Sequence, residues 1–159
     1  MKKRFLSLLL VLVLIMSLMP AALAVNADDA QPKTISVTFR LHTDTDAWIA
    51  PTEVSDLPEG TSVFTVFQKV LADKGYTYEY HEQYCYVQAI TAPDGTRLAE
   101  FSKGQNSGWL FRVNNDFADV GMNDFVLMDG DEIEVLYTAD YEKEPGMSLP
   151  YTDVSWDHW

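Results

Sequence analysis

From residue 34 to residue 42 the chain alternates, with Ile35, Val37, Phe39 and Leu41 apolar and Ser36, Thr38 and Arg40 polar between them. Side chains of a strand point to opposite faces in turn, so this period of two predicts a half-buried β-strand. A loop carrying Asp44, Asp46 and Pro51 follows, and residues 52–57 offer a shorter second strand that ends at Pro58-Glu59-Gly60. At residue 62 the period changes. Val63, Val66, Phe67, Val70 and Leu71 fall at i, i+3, i+4, i+7 and i+8, which is the single apolar stripe of an amphipathic helix. Thr61 or Ser62 can cap its start. Lys69 and Lys74 sit toward its end, where the dipole favours cations, and Gly75 supplies the left-handed residue that stops it. Burying the five stripe side chains is worth about 7 to 15 kcal/mol in transfer terms, as an upper bound.

After the helix the pattern reads as strand and turn. Residues 84–90 form one strand, and Ala92-Pro93-Asp94-Gly95 turns it into a second over 96–101. A third over 109–113 places Trp109, Phe111 and Val113 on one face, and Asn114-Asn115 turns it, since Asn tolerates positive φ. Met128-Asp129-Gly130-Asp131 is a further turn, and residues 132–141 are the last strand, with Ile133, Val135 and Tyr137 facing inward. Two strands, one helix and four strands predict an α+β domain: a mixed sheet packed on a single helix.

The ends of the chain carry different signals. Lys2, Lys3 and Arg4 precede an apolar run from Phe5 to Met19, and Pro20 leads into Ala21-Ala22-Leu23-Ala24. These are the three parts of a secretory signal peptide, residues 1–24, cleaved after Ala24 or Ala27. The run is too short for a membrane span, so no membrane insertion is expected after cleavage. Residues 25–33 read as a flexible leader and 142–150, with Pro145, Gly146 and Pro150, as a linker. The domain between them covers 34–141.

Composition then narrows the function. A chain of 159 residues with 47% hydrophobic residues holds one globular core. Its formal charge of -13 excludes tracking along nucleic acid, because phosphates are held by Lys and Arg. Cys85 is the only cysteine, so an exported chain has no internal disulfide, and Cys85 reads as a buried thiol. Catalytic motifs are missing: no Gly-x-Ser-x-Gly, no His-Glu-x-x-His and no phosphate-binding glycine loop. Two metal readings compete with solvated surface charge: His81 with Glu79 or Glu82, and oxygen ligands from Asp44 and Asp46 or from Asn115, Asp116 and Asp119. Neither matches a defined motif, so neither an enzyme nor a metal site is expected. What stands out is aromatic density. Tyr76, Tyr78 and Tyr80 alternate along one face, with Tyr84 and Tyr86 close behind. A row of phenol rings on an open sheet or hairpin suits a sugar or a corrinoid; the competing reading is aromatic pairing that only stabilises a sheet.

Two stretches carry a family resemblance. They are Leu57-Pro58-Glu59-Gly60-Thr61-Ser62-Val63, and Ser107-Gly108-Trp109-Leu110-Phe111-Arg112-Val113-Asn114-Asn115 followed by Leu127-Met128-Asp129-Gly130-Asp131-Glu132-Ile133. Together they resemble the C-terminal domain of transcobalamin, a family also filed as DUF4430, over about residues 34–140. The resemblance implies a β-grasp-like fold. In animal cobalamin carriers this domain covers one face of the corrinoid while a helical barrel domain covers the other. It therefore implies a non-enzymatic binding module with a corrinoid such as cobalamin as candidate ligand and no resident cofactor. The implied contacts are Trp109, Asn114 and Asn115, joined by Tyr76, Tyr78 and Tyr80. Trp109 also reads as a core residue, and the family's usual Asn-Gly turn is Asn114-Asn115 here. Residues 151–159, with Tyr151-Thr152-Asp153-Val154 and His158-Trp159, resemble the start of an S-layer homology module. That implies cell-wall polysaccharide as a partner if the natural chain continues, and a secreted, wall-associated location. The alternative function is an adhesive or structural spacer binding glycan or protein.

Overall fold

The computed structural model describes residues 33–82 and 86–147. Strand β1 (Thr34–Thr43) and strand β2 (Ala47–Pro58) form an antiparallel hairpin, helix α1 (Val63–Lys74) follows, and then come β3 (Thr77–His81), β4 (Tyr86–Thr91), β5 (Arg97–Ala99), β6 (Gly108–Val113), β7 (Asp116–Phe117) and β8 (Glu132–Thr138). They make two sheets. One has the order β2-β1-β8-β6-β7, mixed because β1 and β8 run parallel, and the other is the antiparallel β3-β4-β5. This is the predicted α+β class, with mixed strands around one helix.

The periodicities land where they pointed. All of Ile35, Val37, Phe39 and Leu41 are buried on β1, and the five stripe residues of α1 are buried together with them in one core. Ser62 caps the helix, its Oγ accepting from Thr65 N–H at 3.3 Å, and Gly75 ends it at φ 77°. The first-turn donors that a cap does not satisfy are taken by the loop before β8. Val63 N–H donates to Phe125 O and Phe64 N–H to Met122 O, both at 3.0 Å. Asn114 and Asn115 both adopt positive φ, 54° and 70°, and turn β6 into β7.

Several boundaries differ from the sequence reading. Strand β2 begins at Ala47 and runs through Pro51, because at a sheet edge the missing N–H of proline costs no ladder bond. The strand expected over 96–101 shrinks to Arg97–Ala99, since Phe101 takes a left-handed φ of 61° in a loop closed by Ser107. The last strand ends at Thr138, where Asp140 caps a 3-10 turn at Tyr141–Lys143. Strand β7 is two residues long and too short to leave a period. Residues 1–32, Tyr84, Cys85 and the S-layer-like residues 151–159 lie outside the described residues.

Trp109 belongs to the core. It is 3% exposed, its Nε1 donates to Leu98 O at 3.0 Å, and its ring meets Trp48 and Tyr137 at 5.6 and 5.1 Å. The residue before it has no room to grow. A Cβ on Gly108 would sit 2.8 Å from the Tyr86 hydroxyl oxygen. Gly108→Ala is therefore expected to destabilise the domain by about 1 to 3 kcal/mol through overpacking. Urea denaturation measures it, and an unchanged midpoint would show that Tyr86 swings aside freely.

Candidate functional site

Strand β3 is laid alongside α1 by the Gly75 stop, so its inward side chains meet the helix rather than an open sheet face. Tyr78 packs edge-on against Phe67 at 5.1 Å, and Tyr80 lies 4.4 Å from Phe64 between ring centroids. Phe64 also meets Tyr78 at 6.0 Å and 85°. These half-buried rings line an open groove of about 460 Å³, completed by Gln68, Glu82 and Asn123. Gln68 Nε2 donates to the Tyr78 hydroxyl oxygen at 2.6 Å, tying helix to strand across the groove. Flat apolar surface edged by amide, hydroxyl and carboxylate groups is what an amphipathic ring system needs for binding.

The predicted residues are thus divided. Tyr78 and Tyr80 reach the groove. Tyr76 packs on Trp48 at 6.0 Å and its hydroxyl donates to Trp48 O at 2.7 Å; burial, with help from the Asp94 charge, raises its pKa. Tyr78 and Tyr80 therefore lie along the helix flank and Tyr76 against Trp48, so the three do not form a row on an open sheet. Trp109 is sealed below, two rings away from Tyr76 through Trp48. Asn114 is occupied by the fold: its Nδ2 donates to Asp131 Oδ1 at 2.8 Å and its Oδ1 accepts from Glu132 N–H at 3.0 Å. Asn115 is exposed at the β6–β7 turn, and neither asparagine lines the groove.

Four groove residues escaped the sequence reading. For two of them a signal existed, because Phe64 and Gln68 are four apart and one position off the apolar stripe, so an aromatic on the helix flank was visible. Asn123 and Glu82 sit in connections with no period to read.

Of the metal-ligand candidates, Glu82 lines the groove, while Glu79 and Asp46 are engaged elsewhere. Both oxygens of Glu79 accept from Arg97, at 2.8 and 2.9 Å. Asp46 closes the β1–β2 turn, its backbone N–H donating to Thr43 Oγ1 and its carboxylate accepting from Thr45 Oγ1. Among the described residues no three His, Cys, Asp or Glu gather to hold a metal, and no helix is long and apolar enough to cross a membrane.

Two sheets with one helix, and a ring-lined groove along that helix, make this a small α+β domain. The chain belongs to the family described as Domain of unknown function (DUF4430), whose model matches residues 60–139. It is similar in fold to the crystal structure of haptocorrin in complex with Cbi, with TM-score 0.50 and 20% identity. That match covers 67% of this chain and 25% of the haptocorrin chain, so the chain spans about a quarter of that protein's length. A Ruminococcus gnavus ATCC 29149 structure named as a "putative metal binding protein" overlaps at TM-score 0.41 and 16% identity, over 65% of this chain and 95% of that one. No curated protein matches the chain.

Proposed function

We propose that this protein is a secreted, non-enzymatic binding module that recognises a small amphipathic ligand, a corrinoid being the candidate, at the Phe64–Tyr78–Tyr80 groove. The observation that carries this reading is the groove itself: three half-buried rings line it, Phe64 and Tyr78 resting on the buried Phe67 and Tyr80 packing on Phe64. Fixed rings lose little entropy on binding, which is the advantage of a preorganised surface. The haptocorrin complex supports a corrinoid, since a domain of this fold forms part of that protein. Secretion rests on residues 1–24 and wall attachment on residues 151–159, with an adhesive spacer as the second role those ends suit.

A single small domain leaves the far face of a corrinoid in water, so affinity should be modest, with Kd on the order of tens to hundreds of micromolar. Titrating the chain with aquacyanocobinamide while following its visible bands tests this. The expected result is a saturable shift that Tyr80→Ala weakens about fivefold or more, one stacked ring being worth about 1 to 3 kcal/mol. No spectral change up to high micromolar protein would remove the corrinoid.

A further inference from the structure

We propose that the parallel β1–β8 pair is a mechanical clamp, so that the domain carries tension along the line from its first strand to its last. This goes beyond ligand binding at the groove, and it supplies what a spacer held at both ends needs.

Direction decides how a strand pair fails. Strand β1 is the first and β8 the last, and they lie side by side in the same direction, in register from Thr38 and Glu132 to Thr43 and Tyr137. Tension that enters ahead of β1 and leaves beyond β8 therefore draws the two strands along their own length in opposite senses. They can part only by sliding, which stretches the evenly spaced ladder bonds together, whereas pulling the strands sideways breaks the same bonds in turn. Neither strand lies at an edge. In the order β2-β1-β8-β6-β7 each has a second partner, β2 along β1 and β6 along β8, so neither can be peeled off the sheet from outside.

Side chains and a turn fasten the same seam. On the inner face Phe39, Leu41, Ile133, Val135 and Tyr137 are buried, and a slip of one residue would turn each toward the opposite face. On the outer face Glu134 of β8 accepts from two β1 side chains, Arg40 at 3.0 Å and His42 at 2.5 Å, which clasps the pair at mid-length. A buried carboxylate is a costly way to stabilise a sheet, and resistance to sliding gives this one a use. At the entry the turn before β8 holds β1 by three bonds. Ser36 N–H donates to Asp129 Oδ1 at 2.8 Å, Gly130 N–H to Ser36 O at 2.8 Å and Thr38 N–H to Asp131 O at 2.9 Å. Beyond β8, Tyr141 N–H donates to Asn106 O and Asn106 Nδ2 to Asp140 Oδ1. Those two bonds yield in turn and pass the load on to β8.

Optical tweezers test the clamp on the chain with handles clicked to azide-bearing residues, which leaves Cys85 untouched. Handles in place of Lys33 and Ala139 load the strands in sliding; handles in place of Lys33 and Met128 pull the same strands apart from their entry end. All three positions are exposed. At one constant force the sliding geometry is expected to outlast the other about tenfold or more, the equivalent of one to two ladder bonds loaded together instead of in turn. Equal lifetimes, or a longer one for the second geometry, overturn the clamp. Opening from the entry end meets Thr38 and Glu132 before Glu134. Glu134→Gln should therefore shorten the sliding lifetime more than the other and lower their ratio about threefold, because charge-assisted bonds become neutral ones. A ratio that Glu134→Gln leaves unchanged removes the clasp from the clamp. The lifetimes are separate from the groove: a cobinamide titration without spectral change would remove the corrinoid and leave their ratio as it is.

Discussion

Phe67→Ala is expected to lower stability by about 3 to 5 kcal/mol, the range for emptying a fully buried aromatic site. Phe67 has no exposed surface and its ring meets Phe39, Phe64 and Tyr78 at 6.5, 6.0 and 5.1 Å. It joins β1 to α1 and β3, so three elements lose a shared wall. A domain of this size holds about 5 to 15 kcal/mol in all, and Phe67→Asp, which buries a charge in the same place, should not fold. Phe67→Leu keeps most of the volume and should cost less than Phe67→Ala. Urea midpoints of the series decide it; a midpoint for Phe67→Ala equal to wild type would mean the core does not depend on this ring. The groove shares the dependence, because Phe64 and Tyr78 both rest on Phe67.

The second large effect lies on the other face of the five-stranded sheet. Arg40 on β1 and Arg112 on β6 stand in register on either side of Glu134 on β8. Glu134 is 4% exposed and accepts from Arg112 Nε, from Arg40 Nη2 at 3.0 Å and from His42 Nε2 at 2.5 Å. Removing the carboxylate by Glu134→Ala leaves Arg40 and Arg112 facing one another across three strands, and is expected to cost about 3 to 5 kcal/mol. Arg40 contributes least to that figure, being more than a third exposed.

The same site predicts a pH dependence. Burial by itself would raise the pKa of Glu134, but the hydrogen bonds from Arg112, His42 and Arg40 overcome it and hold the group at about 2, against 4.5 for a free glutamate. The folded value lies below the unfolded one, so the stabilisation is fully present above about pH 4.5 and fades as pH falls toward 2. A shift of that size corresponds to about 3 kcal/mol. Wild type and Glu134→Gln should therefore differ clearly in unfolding free energy at pH 6 and converge near pH 2; parallel curves would mean the carboxylate carries no linked stability.

How much of this was legible in advance depended on whether the cause was local. The helix was readable at Gly75, which stops it with its own backbone, and to within one residue at its start, where Thr61 and Ser62 both offered a capping hydroxyl and Ser62 provides it. The inward face of β1 was readable for the same reason: alternation is a property of neighbouring residues. The Asn114–Asn115 turn was legible as geometry, yet its asparagines turned out to serve Asp131 and Glu132, partners that come near only when β8 pairs with β6. The tyrosine row was visible as a pattern, but its use was not. Whether Tyr78 and Tyr80 faced water or the helix was decided by where β3 folded back.

By itself, then, the sequence determined the class of fold, the single helix and its stripe, the inward placement of Val135 and Tyr137, and the acidic charge. Periodicity and capping act within a few residues and need no partner. Tertiary structure alone decided that the strands divide into two sheets, that the indole of Trp109 is sealed while the ring of Tyr80 is not, and that Phe64 and Gln68 share a groove with Asn123. It also set Arg40, Glu134 and Arg112 in one row, through the parallel pairing of β1 with β8. Those placements come from contacts between segments far apart in the chain, 92 residues in the case of His42 and Glu134, and no local pattern encodes which distant strand will lie beside which.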